Sequence, residues 1–295
     1  MIIVKLDGGL GNQMFQMAIG RILAEKNQTL LTFDKTFFNY NKKRLGHTPR
    51  NYELKIFKGS YPFAGEEAIL NFLRLSTINR IKRKLDLNYP KTFRESSFDF
   101  NTRVLSLKAP VYLRGFFQSY KYFKGYEELV KNIFVFPQNC LEEKNLILLN
   151  HIKNSQTLAI HIRRGDYVQD KSIQKYHGNL TTEYYLKAIS AVVSKISGLT
   201  LIFFSDDTQW VKREFQNLDH LKIFVDYNTG ENSWKDMFLM SCCKHQIIAN
   251  SSFSWWAAWL NENPDKMVIA PEKWFEKSEK DMNTKDLIPP QWIRI

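Results

Sequence analysis

Short apolar segments alternate with helix-like segments through the second half of the chain. This alternation is typical of a parallel β-sheet covered by helices on both faces. Thr181 and Ser205-Asp206-Asp207 precede two of the predicted helices and are candidate N-caps. The predicted strands are Leu158–Ile162, Thr200–Phe204, Lys222–Val225, Gln246–Ala249 and Met267–Ala270, and the predicted helices are Thr181–Ile196, Thr208–Gln216, Ser233–Cys243 and Ser254–Leu260.

The first half of the chain begins with the same pattern and then becomes irregular. We predict a strand over Ile2–Leu6, a glycine-rich turn over Gly8–Gln13, a helix over Met14–Lys26 and a strand over Thr29–Phe33. Regular order resumes near Pro110–Leu113. Polar segments at residues 137–139 and 151–156 predict a boundary near 140–156, which gives an α/β protein with domains 1–150 and 151–295.

Composition indicates a folded protein with no membrane span. The chain has 295 residues, of which 44% are hydrophobic, and no uninterrupted apolar stretch approaches the roughly 18 residues that cross a bilayer. The first residues lack the pattern of a signal peptide. Three cysteines cannot all pair with one another, which favours reduced thiols and a cytoplasmic location.

Positive charge is concentrated in the first half. Residues 1–150 hold 24 lysines and arginines against 13 acidic residues, whereas residues 151–295 hold 18 against 17. A basic surface indicates an anionic partner, such as nucleic acid, an acidic membrane surface or a phosphorylated acceptor. No zinc-finger spacing, basic zipper or RNA-binding signature accompanies this charge, so we expect no nucleic acid partner.

Two adjacent arginines follow the predicted strand Leu158–Ile162, in the run His161-Ile162-Arg163-Arg164-Gly165-Asp166-Tyr167. The planar fork of a guanidinium group donates two parallel hydrogen bonds, which match a phosphate. Open α/β sheets bind ligands at the carboxyl ends of their strands. The run therefore predicts a diphosphate site, and the alternative is a surface arginine pair bridged to Asp166.

The glycine-rich turn allows two interpretations. Gly8-Gly9-Leu10-Gly11 between a strand and a helix is similar to a dinucleotide-binding motif, and Asp34 has the place of its ribose-binding carboxylate. Met14 occupies the place of the third glycine, however. The other interpretation is a turn that brings backbone and the Asn12 and Gln13 amides to a ligand at a helix N-terminus.

Polar residues also follow two other predicted strands. Asp206 and Asp207 are suited to a metal ion, to a guanine base or to a helix cap; neighbours on an extended chain point apart, which favours the last two. Asn250, Ser251, Ser252 and Phe253 begin a helix and predict an anion-binding turn, whereas the nearby tryptophans are expected in the core. His177 is a surface histidine unless its loop reaches the same crevice.

Together these segments resemble the bacterial α-1,2-fucosyltransferases of glycosyltransferase family 11. The matching segments are Gly8–Gln16, Tyr112–Ser119, His161–Tyr167, Ser205–Asp207 with Trp210, and Asp236–Ser241 with Asn250–Trp256. One departure is Phe117, where the family pattern has a tryptophan. The resemblance implies a GT-B-like fold with two Rossmann-like domains facing across a cleft, and no required metal or other cofactor.

The resemblance also implies roles for individual residues toward the donor substrate, GDP-fucose. Arg163 would grip the β-phosphate, Arg164 would support its loop, and Asp206 or Asp207 would read guanine. Asn12 and Gly11 would approach the phosphates from the other domain. The remaining implied diphosphate contacts are His161, Asn250, Ser251, Ser252 and Phe253.

The implied reaction moves L-fucose to the 2-hydroxyl of a terminal galactose with inversion. It requires a general base, for which Asp166 and His177 are the candidates. The implied acceptor is a glycan such as an O-antigen unit, which the basic first half would meet at an anionic membrane surface. The alternatives left open are an NAD(P)-dependent oxidoreductase and a non-catalytic nucleotide-sugar-binding protein of the same fold.

Overall fold

The chain folds into two compact α/β units. The computed structural model describes residues 1–39, 50–59, 61–74, 81, 85, 89–165, 180–275 and 283–295. Within these residues, the first unit extends from Met1 to Val135 and includes Asn283–Ile288, whereas the second extends from Phe136 to Phe275 and includes Pro289–Ile295. The helices of the described part all lack the length and apolar content needed to cross a bilayer.

The first unit contains a four-stranded parallel sheet in the order β2-β1-β4-β3. Helix α1 packs against β1, and its residues Phe15 and Ile19 are fully buried. Its strands are β1 (Ile2–Lys5), β2 (Leu31–Asp34), β3 (Lys91–Arg94) and β4 (Val111–Arg114), and its helices are α1 (Leu10–Lys26), α2 (Thr36–Asn39), α3 (Glu66–Leu73) and α4 (Glu127–Ile133).

Helix α1 begins earlier than the sequence predicts. Gly8 takes a positive φ of 76° and Gly9 is the extended N-cap, so the turn ends at Gly9 and the helix begins at Leu10. The prediction of a turn through Gln13 was wrong, because Gly11 lies inside the helix despite the low helix propensity of glycine. Asn12 and Gln13 therefore lie in the first helical turn, and Gly11 is buried there.

The second unit contains a six-stranded parallel sheet in the order β10-β9-β8-β5-β6-β7. Its strands are β5 (Thr157–Ile162), β6 (Thr200–Ser205), β7 (Lys222–Val225), β8 (His245–Ile247), β9 (Val268–Ala270) and β10 (Ile293–Arg294). Its helices are α5 (Glu143–Asn154), α6 (Thr182–Val193), α7 (Thr208–Phe215), α8 (Trp234–Cys242) and α9 (Ser252–Leu260).

The predicted elements of the second unit are confirmed, with ends shifted by a few residues. Every residue of β5 is buried, and Leu158, Ile160 and Ile162 pack with Leu201 and Phe203 in one core. Trp255 and Trp256 are also fully buried, as predicted, and all three cysteines are free thiols. The predicted domain boundary after residue 150 falls within α5, a helix that packs against α8.

The strand order brings three polar segments to one edge of the second sheet. Chain order runs outward from β5 through β6 and β7 on one side, and from β8 through β9 and β10 on the other. The order in which the chain adds strands therefore reverses between β5 and β8. Open α/β sheets bind ligands at such a switch point. Arg163, Asp206 and Asn250 follow the carboxyl ends of β5, β6 and β8.

Candidate functional site

Arg163 is held by an ion pair at the carboxyl edge of the second sheet. One guanidinium nitrogen, Nη1, lies 2.9 Å from Asp206 Oδ2, and about a quarter of each side chain is exposed, at 23% and 26%. The pairing follows from register, because Ile162 of β5 lies opposite Ser205 of β6. Arg163 and Asp206 are thus the first residues beyond two aligned strands, and each leaves its strand at the same level.

The same carboxylate also holds the backbone of the arginine pair. Asp206 Oδ1 accepts a hydrogen bond of 2.9 Å from the backbone N–H of Arg164. Gly165 permits this close approach, since a Cβ there would lie 2.9 Å from Asp206 Oδ2. Asp206 therefore fixes the arginine loop through both of its oxygens.

Arg164 is occupied by contacts within the protein. Its guanidinium carbon lies 3.8 Å from the centre of the Trp210 ring, and its Nε lies 3.5 Å from Asp207 Oδ2. Stacking on an indole and pairing with a carboxylate both immobilise a guanidinium group. These contacts suit a residue that supports the loop.

Asp207 serves as the N-cap of α7. Its Oδ1 accepts a hydrogen bond of 3.2 Å from the backbone N–H of Trp210, and its own N–H donates to Ser205 Oγ. Capping was one of the functions that the sequence left open for the two aspartates. In the described part of the chain, no group of three or more histidine, cysteine or acidic residues is arranged to hold a metal ion.

His161 lies buried at the end of β5 and is uncharged near neutral pH. Burial lowers the pKa of its imidazole from 6.5 to about 4; Asp206 opposes this shift and Arg163 adds to it. Its ring lies 5.6 Å from the ring of Phe253. Its buried Nδ1 atom has no hydrogen-bond partner among the described residues, which is uncommon for a buried polar atom.

The segment after β8 forms the start of α9. Ser251 is the N-cap, and its hydroxyl accepts a hydrogen bond of 3.3 Å from the backbone N–H of Phe253. Ser252 is the first residue of the helix. Backbone N–H groups of a first turn point out of the end of the helix and have no acceptor within it. Asn250 is buried, and its Nδ2 donates to the Trp274 carbonyl, which ties the turn to the segment that follows β9.

In the first unit, the three amide side chains at the start of α1 have different partners. Gln13 is fully buried; its Nε2 donates to the Gly8 and Asn51 carbonyls and its Oε1 accepts from the Glu53 N–H. Gln16 joins the Asp7 N–H to the Gly115 carbonyl. Asn12 Oδ1 accepts a hydrogen bond of 2.8 Å from Gln118 Nε2. Gln13 and Gln16 therefore hold the turn itself.

Asp34 does not have the surroundings of a ribose-binding carboxylate. It is 1% exposed, its Oδ2 accepts from the Tyr112 hydroxyl at 2.6 Å, and its Oδ1 accepts from the Thr36 N–H at 2.8 Å. Both oxygens are thus engaged inside the first unit. The interpretation of the glycine turn as a dinucleotide-binding motif, and with it the oxidoreductase alternative, loses its second element.

Two predicted site residues lie outside the described part of the chain, and two contacts of the site were not predicted. Asp166 and His177, the candidate bases, lie outside the described residues. The stacking of Arg164 on Trp210 and the contact of Gln118 with Asn12 went unassigned, although both partners lie in segments that carry the resemblance. Glu95, whose contacts are described below, lies in none of those segments, so nothing in the sequence marks it.

We expect the buried His161 to make the protein less stable in acid. Because its pKa is lowered in the folded state, the unfolded chain binds a proton first, and stability is lost as pH falls from 6.5 toward 4. Between pH 7 and pH 5, the free energy of unfolding should fall by about 2 kcal/mol more in the wild type than in His161→Asn. Urea denaturation at both pH values measures this difference, and equal losses in the two proteins would contradict it.

Comparison with known proteins identifies the family to which the sequence belongs. The Glycosyl transferase family 11 profile matches residues 1–295. An Escherichia coli alpha-1,2-colitosyltransferase is 35% identical over 301 residues, which span 100% of this chain and 98% of the relative. The Escherichia coli O-antigen biosynthesis glycosyltransferase WbnK is 34% identical over 311 residues, which span 98% of this chain and 99% of that protein.

More distant relatives and solved structures are consistent with this family. A Caenorhabditis elegans galactoside 2-alpha-L-fucosyltransferase is 26% identical over 192 residues, which span 61% of this chain and 51% of that protein. The solved structure of POFUT1 in complex with GDP-fucose has the same fold, with a TM-score of 0.51, 12% identity and coverage of 91% of this chain and 97% of that one. The α/β architecture with two parallel sheets and the predicted family are confirmed. The chain belongs to glycosyl transferase family 11.

Proposed function

We propose that this chain transfers L-fucose from GDP-β-L-fucose to the 2-hydroxyl of a terminal galactose on a glycan. The observation that carries the proposal is the Arg163 guanidinium, fixed by Asp206 at the switch point of a parallel sheet in a family 11 chain. The α-1,2 linkage is supported by the names of the colitosyltransferase and of the galactoside 2-fucosyltransferase.

We assign the diphosphate of the donor to the carboxyl edge between β5 and β8. The Arg163 guanidinium group has five N–H donors, so it can bind a phosphate while Asp206 holds Nη1. The N-terminus of α9, which begins at Ser252, carries the partial positive charge of a helix end and suits anionic oxygen. Neutral His161 beside Phe253 offers a donor or acceptor without adding charge.

Guanine recognition by Asp206 or Asp207 is the less direct of the assigned contacts. Both oxygens of each carboxylate already face donors of the protein. A carboxylate oxygen has more than one lone pair, so a base N–H can still be accepted. Replacing Asp207 by asparagine should weaken GDP binding more than UDP binding if it reads the base, and equal losses would leave it only as the cap of α7.

The reaction follows from the stereochemistry of donor and product. The acceptor oxygen forms a bond to the fucose anomeric carbon as the bond from that carbon to the β-phosphate oxygen breaks, which inverts a β-linked donor into an α-linked product. Negative charge develops on the departing phosphate, and fixed donors aimed at developing charge give the largest catalytic effect in many enzymes. Arg163 is the group of this chain that we assign to that charge.

The proton of the acceptor hydroxyl must go to a general base, which we assign to Asp166 or His177. Burial raises the pKa of Asp236, in the first turn of α8, to about 7, and the Asn228 amide only partly offsets this. Because Asp236 can titrate in the same pH range as a base, the pH–rate profile of the wild type is compared with the profiles of Asp166→Asn, His177→Ala and Asp236→Asn. The base is the residue whose variant loses the acid limb of the profile; a profile that is flat between pH 5 and 8 and unchanged in His177→Ala removes the histidine.

The proposed transfer, and its independence of metal, can be tested in one assay. The protein is incubated with GDP-fucose and lactose in the presence of EDTA, and GDP and the trisaccharide are measured. We expect a 2-O-fucosylated product. Binding of donor without hydrolysis or transfer to any β-galactoside would favour the non-catalytic alternative. Transfer that occurs only after Mg²⁺ or Mn²⁺ is added would contradict metal independence.

The donor sugar needs its own comparison, since one relative is a colitosyltransferase. Colitose is L-fucose without the 3-hydroxyl group. Parallel assays with GDP-fucose and GDP-colitose compare kcat/KM directly, and a site that uses the 3-hydroxyl should prefer fucose. A clear preference for GDP-colitose would overturn the fucosyl assignment while leaving the phosphate site intact.

We expect Arg163→Ala to lower kcat by about 10²-fold or more, the scale observed when one donor to a developing oxyanion is lost. The kcat of Arg163→Lys should lie between those of the wild type and Arg163→Ala, because lysine keeps the positive charge but lacks the planar pair of N–H donors. The control is Lys212→Ala, which removes an exposed partner of Asp226 in the same unit and should leave kcat within about twofold. Near-normal turnover in a folded Arg163→Ala protein would contradict the assigned role.

We further propose that the natural acceptor is a lipid-linked surface glycan reached at the cytoplasmic membrane. The proposal is supported by the O-antigen name of one relative and by the excess of positive charge in residues 1–150. Each basic residue near an anionic bilayer contributes about 1 kcal/mol of attraction. The protein should therefore co-sediment with anionic vesicles at low salt and not with neutral ones; failure to do so would count against membrane contact.

A further inference from the structure

We infer that Glu95 is a positioning residue for the transfer reaction. Its carboxylate folds the β4 loop, defined as residues 115–118, so that Gln118 sets the orientation of the Asn12 amide. The inference rests on the proposed function, to which it adds the role that the family resemblance implies for Asn12, a contact with the donor phosphates.

Glu95 holds the backbone of the β4 loop directly. It is the first residue after β3, and its N–H donates to the Arg114 carbonyl, which extends the pairing with β4 by one residue. Its Oε2 accepts from the Phe116 N–H at 2.7 Å, and the Phe117 N–H lies 3.1 and 3.0 Å from the two carboxylate oxygens. Two consecutive backbone donors therefore converge on one side chain.

Gly115 allows the chain to pass over this carboxylate. A Cβ at residue 115 would lie 2.4 Å from Glu95 Cβ and 2.7 Å from its Oε2. The Gly115 carbonyl accepts a hydrogen bond of 3.0 Å from Gln16 Nε2 of α1. The loop is thus fixed at its start from both the β3 side and the α1 side.

Phe117 has an uncommon backbone conformation that these contacts maintain. Its φ is +54°, in the left-handed region that residues other than glycine rarely adopt. Its side chain is fully buried beside Phe93 and Tyr122. A strained conformation persists only where its surroundings enforce it, and here a carboxylate holds the N–H while the core holds the ring.

The turn at Phe117 delivers Gln118 to Asn12. Gln118 is 6% exposed, and its Nε2 donates to Asn12 Oδ1 at 2.8 Å. Because the Asn12 oxygen faces a donor, its Nδ2 is turned toward Gly8, where a Cβ would lie only 2.4 Å away. A flipped Asn12 amide would place two NH₂ groups against each other. Gln118 therefore selects the face on which Asn12 presents its N–H donor.

A buried carboxylate is costly at residue 95, and its two oxygens both face backbone N–H donors. Burial raises the pKa of Glu95 to about 7, although the N–H groups of Phe117 and Phe116 lower it. No lysine or arginine within the described ranges forms an ion pair with it. Glutamine has the same shape, but its NH₂ group would replace Oε1, 3.1 Å from the Phe117 nitrogen, and set two donors against each other.

The test compares kinetic constants of Glu95→Gln with those of a control in the same strand pair. We expect Glu95→Gln to lower kcat roughly 10-fold, as misplacement of a reacting group does, with KM for the acceptor almost unchanged. The control is Thr92→Val on β3, which removes the hydrogen bond from Thr92 Oγ1 to the Phe72 carbonyl but touches neither the β4 loop nor Asn12. Its kcat should equal that of the wild type, and thermal unfolding of both variants separates stability from turnover.

A double-mutant cycle tests whether Glu95 acts through Gln118. We expect Gln118→Ala to lower kcat by a similar factor and Glu95→Gln/Gln118→Ala to be no slower than Gln118→Ala alone. Independent, multiplying losses would overturn the inference. If Glu95→Gln cannot be purified folded, wild-type turnover in Gln118→Ala overturns it equally.

Asn12→Ala separates this inference from the proposed function. Wild-type turnover in Asn12→Ala would remove the proposed role of Asn12, whatever Glu95→Gln does. A large loss in Asn12→Ala, together with normal kcat in Glu95→Gln and Gln118→Ala, would retain the role of Asn12 and overturn the positioning role of Glu95.

Discussion

The arginine site depends on the carboxylate of Asp206. One oxygen binds the Arg163 guanidinium and the other binds the Arg164 N–H, so a single side chain determines both the loop and the direction of the charged group. Hydrogen bonds to a charged group each contribute about 1.5–3 kcal/mol. Without Asp206, two adjacent arginines would repel each other at the end of a buried strand. The site is therefore organised before any ligand arrives.

The position of this site could be predicted from the sequence, but its internal pairing could not. Runs such as Leu158–Ile162 are apolar on both faces because a central parallel strand is covered on both sides, and that signal is local. Arg163 following such a run then had to lie at the carboxyl edge. Which aspartate would meet it depends on the register of Ile162 against Ser205, a tertiary feature that no local pattern records.

The first unit shows the same limit in another form. The start of α1 was misplaced because two glycines form the turn while a third, Gly11, lies inside the helix, and single residues do not reveal that difference. The contact between Asn12 and Gln118 joins two segments far apart in the chain. Glu95 is harder still to predict, because its partners are backbone N–H groups, which nearly every residue has whatever its side chain.

The charges of the second unit are balanced before a donor binds. Arg163 and Arg164 face Asp206 and Asp207, and His161 stays neutral because burial lowers its pKa to about 4. At the proposed site, a diphosphate would therefore meet no large net positive charge from these residues. Under the proposed function, its binding relies on the direction of individual donors, such as the Arg163 guanidinium and the N-terminus of α9. On that proposal, Asp206 contributes to phosphate binding and departure by fixing the orientation of Arg163, more than by any excess of charge.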